Sequence, residues 1–130
     1  MLDKKFMEDI TIARKAYFSS GVNSTESKWG EGHNYVIEAF VRGPIDTDTG
    51  LVMNLTDLDR FLKVITDEFD HKHLNKDFDY FGETPVTPEQ LAEYCHLKLK
   101  KLLENEISHV TLIRTLVRQS DSDFGFVQET

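Results

Sequence analysis

The chain has 130 residues, 39% hydrophobic and 11% aromatic, which is enough to bury one core and too little for two, so a single domain over 1–130 is expected. Its 23 acidic residues outweigh 15 basic ones, giving a formal net charge of -8; exposed carboxylates repel phosphate, which argues against nucleic acid or an anionic membrane and for a small molecule or a protein as partner. One cysteine, Cys95, excludes an intrachain disulfide, and Leu91, Leu99 and Leu102 at helical spacing around it point to a buried, reduced thiol and a cytoplasmic setting.

The first ten residues carry Lys4, Lys5, Glu8 and Asp9 without an apolar stretch of signal-peptide length, and no window approaches the ~20 apolar residues of a membrane span, so the chain is expected to be soluble and unprocessed. Apolar residues then recur at even positions (Ile10, Ile12, Ala16, Phe18), the period of a strand with one buried face. The stretch 19–32, rich in Gly, Ser, Asn and Thr, reads as a long irregular loop. A central strand is expected over 33–42, with Tyr35, Ile37, Ala39 and Val41 on one face. Gly43-Pro44 and the Asp46-x-Asp48-x-Gly50 punctuation read as a hairpin turn rather than a calcium loop, with 51–53 pairing back as a short strand.

Leu55, Leu58, Phe61, Leu62, Ile65 and Phe69 fall at helical spacing and predict a first helix over 55–69. Thr87-Pro88-Glu89-Gln90 combines an N-cap, a proline at the first helical position and a capping-box glutamine, opening a second helix that runs to about 104. Composition returns to β-branched residues over 109–117, and 124–127 can pair with that segment across a polar turn. The expected class is α+β, in the order ββ-β-αα-ββ.

The run Gly32-His33-Asn34-Tyr35, then Gly43-Pro-Ile-Asp46, Thr49-Gly50-Leu-Val-Met-Asn54-Leu-Thr-Asp57, then Asp70-His71-Lys72-His73-Leu74-Asn75, resembles the 6-pyruvoyl-tetrahydropterin synthase / 6-carboxytetrahydropterin synthase family in wording and spacing. Tyr80-Phe81 and Thr87-Pro-Glu89 extend the match, which covers roughly residues 16–115. The resemblance implies the T-fold, an antiparallel sheet with two helices on one face, assembling as a homo-oligomer (trimer or hexamer) with ligand pockets between subunits. Such assembly would also cap open strand edges.

In that family zinc held by three histidines polarises an oxygen on the side chain of a reduced pterin. The resemblance places Glu31 and His33 where the family has a His-x-His pair, whose period of two puts both side chains on one face of a strand. The third family histidine is matched by Val22, which cannot bind metal; His33 is the unchanged ligand, and Glu31 is a chemically competent oxygen donor. Zinc is therefore a possible cofactor on an altered donor set. The family's loop cysteine has no counterpart in residues 23–30, where Glu26 is the only acidic residue. The catalytic Asp-His pair is matched by Asp70-His71, in which the carboxylate would orient the imidazole for proton transfer. The pterin-anchoring glutamate of the late strand is replaced by Arg114, which offers donors and no acceptor and would favour an oxyanion or carbonyl. Thr87 and Glu89 complete the implied ligand-binding set.

Two further features read as structural. His71-x-His73, following a helix, is a polar turn rather than a second metal site, and Trp29 and Tyr35 are aromatics packed at the rim of a sheet. Three functions follow: a divergent family member binding a pterin-like or anionic ligand through Arg114, His33 and Thr87; an active carbon–oxygen lyase on dihydroneopterin triphosphate; or a noncatalytic structural or regulatory subunit.

Overall fold

The computed structural model describes residues 9–25 and 30–129. The elements are β1 (Ile10–Val22), β2 (Glu31–Gly43), α1 (Leu55–Phe69), β3 (Lys72–His73), α2 (Leu74–Asp77), a 3₁₀ turn (Asp79–Phe81), α3 (Pro88–Glu106), β4 (Thr111–Ser120) and β5 (Asp123–Gln128). The five strands form one sheet in the order β3-β1-β2-β4-β5. Every pairing is antiparallel except the two-residue β1–β3 contact. The α+β class and the T-fold layering expected from the sequence are present.

One face of the sheet carries Phe18, Tyr35, Ile37, Ala39, Val41, Leu112 and Val117, packed against Leu58, Phe61, Leu62, Ile65 and Phe69 of α1 and Leu91, Cys95, Leu99 and Leu103 of α3. Burial of these apolar surfaces is the main source of stability. Cys95 is fully buried and free, and its burial pushes the thiol pKa up, so it is an inert part of that core. The other face is open: Tyr17 is 69% exposed, and Phe124 and Phe126 are also exposed.

Helix α1 starts where Asn54 Oδ1 accepts the Thr56 amide at 3.0 Å. At α3 both arms of the capping box form: Thr87 Oγ1 accepts from the Gln90 amide at 3.2 Å and Gln90 Oε1 from the Thr87 amide at 3.0 Å. Gly125 of β5 lets that helix start lie against the sheet, because a Cβ there would stand 3.0 Å from the Glu89 backbone.

Three expectations are corrected. β1 does not end at Phe18 but runs to Val22, and β2 begins at Glu31, in register from Ile10↔Gly43 to Val22↔Glu31. Cross-strand pairing and the burial of Ser20 and Val22 override the turn preference of Ser and Gly. The expected strand over 51–53 is absent: the Asp46 carbonyl and carboxylate close the turn onto Gly50, Asp48 and Thr49, and buried Val52 and Met53 lead directly into the Asn54 cap. The sheet gains β3 instead, because the chain leaving α1 is drawn against the end of β1.

Candidate functional site

An open cleft of about 500 Å³ lies where β1, β2 and β3 end together, lined by Ser19, Gly21, His33, Asn34, His71, Lys72 and neighbouring residues. One border is the turn after α1. The Ser19 amide donates to Asp70 Oδ1 at 2.8 Å, and the His71 amide donates to the Ser19 carbonyl at 2.7 Å. Asp70 Oδ2 lies 2.9 Å from His71 Nδ1, so an Nδ1–H donated to the carboxylate leaves Nε2 free. These contacts hold His71 at a φ of 59°, a left-handed conformation uncommon for a residue with a side chain, and leave its imidazole 85% exposed over the cleft. The Ser19 amide, with the His71 imidazole second, holds the Asp70 carboxyl below the usual carboxylate pKa.

The other border is the β1–β2 strand end. Val22, Glu31 and His33 are neighbours there: Val22 pairs with Glu31, and His33 pairs with Ser20. Val22 is only 3% exposed and belongs to the core. His33 Nε2 lies 3.6 Å from Glu31 Oε2, and its ring meets the buried Tyr35 ring edge-on at 5.9 Å. No group of three His, Cys, Asp or Glu able to hold a metal occurs among the described residues. Of the three residues that the resemblance matches to zinc ligands, Val22 offers no donor, so these three by themselves supply two, Glu31 and His33.

His73 adds an imidazole whose placement sequence reasoning did not foresee. It pairs with Gly21 of β1, its Nδ1 accepts from the Lys76 amide at 3.3 Å, and its buried Nε2 has no hydrogen-bond partner among the described groups. Gly30, at φ 82°, is required beside it, since a Cβ there would come within 2.5 Å of the Val22 carbonyl oxygen and 3.2 Å of His73 Nε2. Lys72 and Asn34 also line the cleft; the adjacency of Lys72 to His71 was the available signal. Tyr35 is fully buried and stacks on Phe18 at 5.1 Å, so it packs the core; Trp29 and Glu26 lie outside the described residues.

The remaining expected ligand residues do not line this cleft within one chain. Arg114 pairs with Phe40 on the open face of the sheet, where its Nε donates to Gln128 Oε1 at 2.6 Å and its guanidinium lies over the rings of Phe126 (4.8 Å) and Phe40 (5.3 Å). The next residue, Thr115, takes the helix-facing side and meets buried His96 at 2.9 Å. Thr87 is occupied in capping α3, and Glu89 is exposed at the start of that helix beside β5.

The family model for 6-pyruvoyl tetrahydropterin synthase matches residues 12–123. A 6-pyruvoyl tetrahydrobiopterin synthase of Drosophila melanogaster is 51% identical over 77 residues, covering 55% of this chain and 46% of the relative. The chain spans about half the length of the curated relatives it matches. The solved 6-pyruvoyl tetrahydropterin synthase of Caenorhabditis elegans superimposes with a TM-score of 0.81 at 26% identity, covering 95% of this chain and 98% of that one. A Plasmodium vivax 6-pyruvoyltetrahydropterin synthase shares the fold with a TM-score of 0.67 at 15% identity, covering 95% and 99%.

Proposed function

Because the chain belongs to the 6-pyruvoyl tetrahydropterin synthase family, we propose that it is a carbon–oxygen lyase of that type, releasing triphosphate from dihydroneopterin triphosphate. The observation that carries this reading is the Asp70–His71 turn: the carboxylate is tied to β1, the imidazole is oriented by it, and Nε2 is presented to an open cleft. In the reaction His71 Nε2 takes a proton from a carbon of the substrate side chain. The electron pair left on carbon drives scission of the C–O bond, and triphosphate departs with the bonding pair. Lys72, at the rim beside His71, is placed to meet the phosphates.

In the Plasmodium vivax synthase a glutamate is a catalytic residue. Glu26, the only acidic residue of loop 23–30, is the carboxylate to test here as a second base. Thr87, Glu89 and Arg114 serve the ligand only in an oligomer, from across a subunit interface; light scattering that finds a monomer would remove them from the site. A second reading, ligand binding without turnover, is favoured by one observation, the apolar Val22 at the third zinc position.

The two separate in one experiment on the purified chain supplied with dihydroneopterin triphosphate. The lyase reading expects triphosphate release and a new pterin absorbance, reduced about 10²–10⁴-fold in His71→Ala. A ligand that raises Tm without being consumed would replace it with the binding reading.

A further inference from the structure

We propose that this cleft works without a resident metal: in this chain the family's zinc position is closed by buried Val22 and by the Glu31–His33 pair. The inference rests on reading the cleft as the ligand site. A catalytic zinc needs three protein donors converging at about 2.0–2.2 Å for nitrogen or oxygen. The strand register brings residues 22, 31 and 33 to one place, but the first offers only methyl groups, and these are packed into the core at 3% exposure.

Among the described residues no three His, Cys, Asp or Glu side chains are grouped to hold a metal in its place. Asp70 holds His71 Nδ1 with one oxygen and the Ser19 amide with the other, and His71 Nε2, left free, belongs to no three-donor group either. His73 lines the cleft, its Nδ1 accepting from the Lys76 amide and its Nε2 buried without a hydrogen-bond partner among the described groups, but it forms no three-donor group with Glu31 and His33. At the three positions matched to the family's zinc ligands two donors remain, and they face one another as a carboxylate–imidazole pair at 3.6 Å. The pair keeps a polar group beside the cleft at the place of the ion, where His33 can offer its ring nitrogen to a ligand oxygen. Thus the substitutions at 22 and 31 act together: the first removes a donor, and the second gives the remaining imidazole a local partner.

The test is zinc stoichiometry by elemental analysis and calorimetric titration, on the wild-type chain, His33→Ala and the double variant Val22→His/Glu31→His, all without substrate. The result is therefore independent of whether the protein proves to be a lyase. The wild type is expected to hold less than about a tenth of a zinc per chain with no Tm shift on adding zinc, and the double variant to take up about one per chain with a higher Tm. Near-stoichiometric zinc in the wild type, lost in His33→Ala, would overturn the proposal even if the double variant did not fold. So would a folded double variant that takes up none, since the register would then not bring the three positions together.

Discussion

His71 and His33 line the same cleft, and the segments that carry them, the Asp70–His71 turn and the β1–β2 end with Val22 and Glu31, are held in different ways. The Asp70–His71 turn is tied to the Ser19 backbone of β1 by two hydrogen bonds at 2.7–2.8 Å, one from the His71 amide and one to the Asp70 carboxylate, which hold His71 in a left-handed backbone conformation. The β1–β2 end is fixed by strand register and by burial of Val22, with the Glu31 carboxylate and the His33 imidazole 3.6 Å apart beside it. On the proposed lyase reading, backbone strain that presents a polar group to solvent serves chemistry, whereas an apolar residue that completes a core serves stability. The comparison therefore predicts that mutations in the turn lower activity and leave folding largely intact, while mutations at Val22 do the reverse.

The largest expected effect is in the turn. His71→Ala should lower turnover about 10²–10⁴-fold with little change in Tm, because the imidazole buries almost nothing. Asp70→Asn should lower turnover less and flatten the acid side of the stability profile. The Asp70 carboxyl is held below its ordinary pKa of about 4, so its contribution is present above that value and lost as pH falls through the depressed folded one. Melting curves across that acid range should show the wild type losing stability that Asp70→Asn does not. At the other border, Val22→Ala should cost about 2 kcal/mol in denaturant unfolding while leaving turnover per folded molecule unchanged. A loss of activity with intact stability in that variant would break the division between the two borders. The smallest effect belongs outside the cleft: Thr87→Ala removes the α3 cap and should cost about 1 kcal/mol.

What was legible in the sequence divides along similar physical lines. Helix α1 has the bounds its apolar spacing predicts, and α3 starts at the capping box, because both signals are local and repeated. The last turn of β1 and the two-residue β3 were not legible: Ser19–Gly21 favours turns by itself, and only pairing with β2 and with the chain leaving α1 makes it strand. In the site, Asp70-His71 could be read because adjacency alone lets the carboxylate reach the imidazole. The facing of Arg114 could not, since the β-bulge between Phe40 and Val41 shifts the register of β4 just where its side matters. His73 was read as part of a turn, yet it pairs with Gly21, 52 residues earlier in the chain.

The most direct test of this account is the rate of triphosphate release from dihydroneopterin triphosphate by the wild-type chain, measured before and after exhaustive chelation. A chemistry carried by Asp70–His71 beside a metal-free Glu31–His33 pair predicts release at the same rate in both. Release that disappears with chelator and returns with zinc would contradict it.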